Sequence, residues 1–282
     1  MTPEPNIRSA LGTVVETIRA GYDPATPRPQ DQPDGGHDPT FLDRTAPLLE
    51  FLWSRYFRVR LIGVENVPDT GPALLVGNHS GGIPYDGAML LYALYRDHPL
   101  HRRVRPLVAN FVFRAGWMAS VIARIGGIRA TTETALPLLA AGELVAVFPE
   151  GLKGVGKLFR ERYRLNRFGR GGFVRLAQKA QVPLIPFAIV GAEEIHPVIA
   201  KVTRLAEPLG LPYIPITPTF PWFGPLGLLP VPTKWTIQLG APILPPDSND
   251  PEVTARVAEA VRIKIDGMIS DLLAERRSIL FG

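Results

Sequence analysis

Apolar and polar positions along this chain follow two rhythms. Residues 6–20 place Ile7, Leu11, Val14, Val15 and Ile18 at helical spacing, which predicts a short helix. The same spacing returns at Phe41, Leu42, Leu48, Leu49, Phe51, Leu52 and Trp53, with Arg55, Arg58 and Arg60 close behind. Such a helix either packs on a core or lies in a membrane interface with its arginines at phosphates. Between the two helices runs "GYDPATPRPQDQPDGGHDPT", rich in Pro, Gly and Asp, which reads as a flexible linker.

Beyond residue 57 short apolar runs alternate with helical patterns. "FRVRLIG", "ALLVGN", "VRPLVAN", "ELVAVFPE", "VPLIPFAIVG" and "WTIQLGAPI" read as strands. "DGAMLLYALYRDH", "GWMASVIARI", "TETALPLLAAG" and "GGFVRLAQKAQ" read as helices, and residues 251–277 as a terminal amphipathic helix. Continuous apolar strands separated by helices predict an α/β fold with a mostly parallel central sheet, helices on both faces. Ligands of such sheets bind beyond the carboxyl ends of the strands. The expected organisation is an N-terminal helix and linker over 1–39 and one domain over 40–282.

One segment breaks the rhythm. Pro208 to Thr233 carries no charge and eight prolines, together with Tyr213, Phe220, Trp222, Phe223, Leu226, Leu228 and Leu229. Its proline density forbids a regular spanning helix. It reads as a loop packed on the domain, an apolar wall for an acyl chain, or a wedge in a membrane interface, where Trp and Tyr are favoured.

Composition narrows the chemistry. With 282 residues, 46% of them hydrophobic, the chain can bury a full core. It has no cysteine, which excludes disulfides, thiolate metal sites and cysteine nucleophiles. The net charge of +5 and a pI near 9.6 favour anionic partners. The N-terminus lacks the pattern of a signal peptide. No apolar run reaches the roughly 18 residues of a spanning helix. Together these predict a peripheral protein on the cytoplasmic face of a membrane.

The chemistry concentrates at "VGNHSGGIPYDG", where an apolar strand ends in Asn78, His79 and Ser80, with Asp86 shortly after. Two readings compete. Ser80 is a nucleophile on a strand-to-helix elbow, although the first glycine of that motif is Asn78 here. Otherwise His79 is a base and Asp86 orients it. "GLKGVGK", residues 151–157, has the spacing of a phosphate-binding loop, but Leu158 stands where magnesium needs Ser or Thr. A nucleotide hydrolase is therefore rejected, while glycine amides and Lys153 remain able to hold a phosphate. Arg160, Arg162, Arg164, Arg167 and Arg170 follow, interleaved with Tyr163 and Phe168. Clustered so tightly, they favour a small phosphate ligand over nucleic acid.

"NHSGGIPYDG", "IGGIRATTET", "FPEGLKG" and "VPLIPFAIVGAEE" together resemble the blocks of the glycerolipid acyltransferase family, of the lysophosphatidate acyltransferase type. The resemblance runs over about residues 57–245. It implies transfer of a fatty acyl group from a coenzyme A or carrier-protein thioester to a lipid hydroxyl, with no metal and no cofactor beyond that co-substrate. It also implies that His79 is the general base and Asp86 its partner. Asp86 lies two residues beyond the family's usual spacing, and the Gly81-Gly82 insert and Pro84 are expected to loop out. Leu152 and Lys153 stand where the family carries Thr and Arg. Asn78, Ser80, Arg129, Glu150, Gly151, Lys153, Arg160 and Arg162 are the expected substrate-binding residues. An imidazole, with an ordinary pKa of about 6.5, suits the removal of an alcohol proton.

Overall fold

The computed structural model describes residues 6–21, 36–80, 85–110, 112–114, 116–204, 206, 213–248 and 250–281. Helices α1 (Ile7–Ala20) and α2 (Phe41–Phe51) lead into strand β1 (Arg60–Ile62). Next come β2 (Ala73–Gly77), α3 (Tyr85–Asp97), β3 (Val104–Val108), α4 (Gly116–Arg124) and β4 (Ile128–Arg129). Helix α5 (Thr132–Ala140), β5 (Leu144–Val147), a single turn α6 (Leu152–Val155), α7 (Gly172–Ala180) and β6 (Leu184–Val190) follow. The chain closes with a small ribbon of β7 (Ala200–Val202) and β8 (Ile214–Ile216), then β9 (Thr236–Leu239) and the long α8 (Pro251–Glu275).

The main sheet has seven strands in the order β1-β9-β6-β2-β5-β3-β4. All pairings are parallel except β6 with β9. The protein is thus α/β with a mostly parallel sheet, as the alternation of apolar runs predicts.

Helices cover both faces, and the two-residue period of the strands divides the core. Ala73 and Leu75 of β2, with Ile185, Phe187 and Ile189 of β6, meet Met89, Leu90 and Leu94 of α3. Leu74 and Val76, with Leu184 and Ala188, meet α5, α7 and α8 through Leu139, Val174, Leu176 and Ile265. A strand buried on both faces cannot alternate with polar residues, which is why "ALLVG" is apolar throughout.

Helix α1 packs against α2 and α4. Its packed side is made of small residues such as Ala10 and Thr17, while Ile7, Leu11 and Val15 are exposed. The expected linker lies largely in residues 22–35, outside the described residues. Among the described residues, no helix is long and apolar enough to cross a membrane.

Register places the site. Val76 of β2 lies beside Val147 of β5, and Gly77 beside Phe187 of β6. Continuing the parallel strands by two residues brings Asn78-His79 alongside Pro149-Glu150. The Gly77 position is forced, because a Cβ there would stand 2.2 Å from the Phe187 ring.

Candidate active site

His79 leaves β2 at the carboxyl edge of the sheet and packs its ring against Phe148, centroids 4.5 Å apart. Its Nδ1–H donates to Asp86 Oδ2 at 2.7 Å. Asp86 sits in the first turn of α3, where the exposed amides of a helix start favour a carboxylate. Its side chain is fully buried, and the carboxylate is well supplied with donors. Ser80 N–H donates to Oδ2 at 2.9 Å, Ser80 Oγ–H to the same oxygen at 3.2 Å, and Gly87 N–H to Oδ1 at 2.8 Å. The pair forms despite the longer spacing; residues 81–84, where the loop-out is expected, lie outside the described residues.

With Nδ1 committed as a donor, Nε2 is the free lone pair of the imidazole. It has no hydrogen-bond partner among the described residues. His79 and Asp86 line a pocket whose walls are apolar, built from Leu107, Val108, Val112, Ile122, Val147 and Phe148. Gly151, with φ +53°, and Val155 complete one side. No cationic side chain lines this pocket among the described residues.

The other expected site residues do different things. Asn78 is buried and pairs both ends of its amide with Ile189, donating to the carbonyl at 2.9 Å and accepting from the N–H at 2.8 Å. It pins the end of β2 to β6. Ser80 is also buried, and its hydroxyl donates to Asp86 at 3.2 Å rather than to an imidazole. His196, whose ring lies near Tyr85, donates through Nε2 to Leu228 O at 2.8 Å.

Glu150 faces inward. Its Oε1 accepts His79 N–H at 3.2 Å, and Oε2 accepts Asn166 N–H at 2.9 Å. The Lys157 ammonium lies 2.9 Å from Glu150 and 3.2 Å from Glu193, all three nearly buried. Burial pushes the Glu193 carboxyl up, opposed by Lys157 and by the Tyr163 N–H. Within "GLKGVGK", Gly154 packs against Glu150 and His79, and Lys157 pairs with Glu150. A Cβ at Gly154 would lie 2.7 Å from Glu150 Cβ and 3.2 Å from His79 Cβ. The Lys153 side chain lies outside the described residues.

The basic stretch does not converge on the pocket. Arg162 stacks over Phe159 at 4.3 Å and lies 3.5 Å from Glu194, in a separate cleft with Arg276. Arg160 is exposed. Arg129 is exposed on β4, its guanidinium 5.9 Å from the Phe113 ring centroid. Lys157, Asn166 and Glu193 escape the sequence reading, although Glu193 falls within the "VPLIPFAIVGAEE" block and Lys157 closes the glycine loop.

Comparisons with known proteins give the class. The family model described as "Acyltransferase" matches residues 58–190, a span holding β1 through β6 and both His79 and Glu150. A Gallus gallus protein named "DGAT1/2-independent enzyme synthesizing storage lipids" is 30% identical over 254 residues, 86% of this chain and 72% of that one. The chain belongs to the acyltransferase family. An uncharacterized protein of Mycobacterium tuberculosis is 48% identical over 253 residues, 88% of this chain and 71% of the relative. The crystal structure of the 1-acyl-sn-glycerophosphate (LPA) acyltransferase PlsC from Thermotoga maritima superposes with a TM-score of 0.55 at 16% identity, covering 95% of this chain and 90% of that one. At that identity the likeness is one of fold.

Proposed function

We propose that the protein moves a fatty acyl group from a coenzyme A or carrier-protein thioester to a lipid hydroxyl at a membrane surface. The observation that carries this reading is the His79–Asp86 pair opening on an apolar pocket. The acceptor hydroxyl gives its proton to His79 Nε2 as its oxygen attacks the thioester carbonyl. The tetrahedral intermediate collapses, the C–S bond breaks, and the thiolate takes the proton back from the imidazolium. An ester and a free thiol result. Asp86 holds the reactive tautomer and offsets the charge on the imidazolium. Phe148 and the aliphatic walls exclude water, so that the alcohol is acylated in preference to hydrolysis of the thioester.

One feature favours a glyceride over a phosphate-bearing acceptor: a family relative is named for the synthesis of storage lipids.

The test is a panel of acceptors, with lysophosphatidate, another lysophospholipid, monoacylglycerol and diacylglycerol each given labelled acyl-CoA or acyl-carrier protein. Lipid chromatography should show a labelled ester formed in equal amount to the released thiol. Thiol release with no acylated lipid would replace the transferase by a thioesterase. Binding of the thioester with no thiol release would leave a lipid-binding protein.

A further inference from the structure

We infer that residues 217–229 form a rigid apolar wedge that inserts into an anionic phospholipid surface and sets the pocket mouth against it. This deepens the proposed function, resting on the reading that the acceptor is a membrane lipid. Four large side chains stand out of one short segment: Trp222 is 77% exposed, Phe223 67%, Leu226 73% and Leu229 64%. Isolated exposed hydrophobics are ordinary, but a contiguous cluster marks an interaction surface.

Much of the backbone of the segment is paired within the segment. A chain entering lipid must satisfy its own N–H and C=O groups, since no water is present to do so. Here Thr217 N–H donates to Phe220 O at 2.9 Å, Phe223 N–H to Thr219 O at 2.9 Å, and Gly224 N–H to Pro221 O at 2.8 Å. Phe220 N–H donates to Thr217 Oγ1 at 2.9 Å, and Thr219 Oγ1–H to Gly227 O at 2.8 Å. Pro221 and Pro225 have no N–H to satisfy. Gly227 allows the tight fold, since a Cβ there would stand 2.4 Å from Thr219 O. No charged residue occurs anywhere in the segment.

The wedge is fastened to the catalytic edge of the sheet. His196 Nε2–H holds Leu228 O at 2.8 Å, and Val231 N–H holds Ile195 O at 2.8 Å. These anchors follow β6, whose carboxyl end lies beside that of β2. The His196 ring neighbours Tyr85, the residue before Asp86, at 6.3 Å. Insertion of the wedge would therefore fix the His79 corner against the surface that holds the acceptor.

Charge complements the choice of an anionic lipid. Arg58 donates to Pro232 O at 2.8 Å and to Leu280 O, joining the stretch just after the wedge to one in which Phe281 is 85% exposed. Among the described residues Arg58 donates to main-chain carbonyls, those of Arg55, Tyr56, Pro232 and Leu280, and the Lys201 ammonium, on the ribbon that enters the wedge, lies 5.4 Å from the Tyr213 ring centroid. Their positive charges, within a net charge of +5, suit phosphate headgroups.

The test uses the full chain and sedimentation with phosphatidylglycerol/phosphatidylcholine vesicles. Wild type should pellet with them, less so in high salt. Trp222→Ala with Phe223→Ala should weaken partition at least about tenfold. Trp222→Phe keeps the apolar anchor. It should bind, but lose the part of tryptophan quenching by brominated phospholipid that wild type shows. Equal partition of the double variant and wild type, or unchanged quenching in Trp222→Phe, would overturn the wedge. So would a concentration-dependent dimer abolished by the double variant without vesicle binding, which would make a second copy the occupant. His79→Ala should bind vesicles normally. The double variant should still acylate a short-chain, water-soluble acceptor. Vesicle binding by a wild type that acylates nothing would sink the proposed function and leave the wedge standing.

Discussion

His79 and His196 sit on the same edge of the sheet, each near an aromatic ring, and they differ in what answers their ring nitrogens. His79 donates to a buried carboxylate, Asp86, and lines the pocket. His196 donates to a main-chain carbonyl, that of Leu228. A carboxylate stabilises the imidazolium that forms when the ring takes a proton. A carbonyl fixes the orientation of the neutral ring and does little for its cation. The first environment suits a base, and the second suits a fastener. Burial adds to the contrast by pushing the His196 pKa below its ordinary 6.5, so it stays neutral. The partner distinguishes the two better than the residue type does.

The sharpest way to break this comparison is to remove the proposed base. His79→Ala should lower acyl transfer roughly 10²–10⁴-fold, the usual range for general acid–base catalysis. Ser80→Ala should keep most activity, because its hydroxyl supplies one of several donors to Asp86. An inactive Ser80→Ala protein, together with fluorophosphonate labelling of wild type at Ser80, would restore the nucleophile reading.

Next in size is the scaffold behind His79, for which His196 has no counterpart. Lys157→Met leaves Glu150 and Glu193 buried without their shared cation. Breaking such a pair typically costs about 3–5 kcal/mol. Urea unfolding should register that loss. A change below about 1 kcal/mol would mean that the Asn166 side chain and the main-chain donors suffice to hold Glu150 and Glu193.

Asp86→Asn converts the partner of His79 from a carboxylate into a neutral amide, closer to the situation of His196. Transfer should fall about 10–100-fold, less than on loss of the imidazole, because Nε2 survives while the imidazolium loses its counter-charge. An Asp86→Asn protein with the wild-type rate would reduce Asp86 to a helix-start residue.

Much of this was legible in the sequence, for reasons that individual residues make plain. "ALLVG" is apolar at every position because both faces of β2 are buried, and the following His79 could only emerge at the strand end. Strands β4, β7 and β8 were not legible. The first is two residues long, and the ribbon is half-exposed with Pro215 inside it, so neither shows an apolar rhythm. The Lys157–Glu150–Glu193 cluster was hidden because its members meet through the β5 and β6 exits, far apart in sequence. Residues 160–170 show the converse. Their charge density drew attention to phosphate, yet Arg162 is engaged with Phe159 and Glu194 away from the pocket.

The smallest expected effect tests the fastener itself. His196 has a lowered pKa, chiefly through burial, with the Leu228 carbonyl pulling the other way. In the unfolded chain an imidazole protonates near 6.5. Below that pH the unfolded state binds a proton that folded His196 resists. Its contribution to stability is therefore present above about pH 6.5 and is lost as pH falls through the folded value. His196→Asn keeps an N–H for Leu228 O and removes the titration. Between pH 5 and 7 the thermal midpoint of wild type should fall more steeply than that of the variant. Parallel curves for the two proteins would show that His196 titrates alike folded and unfolded, and that its contrast with His79 rests on geometry alone.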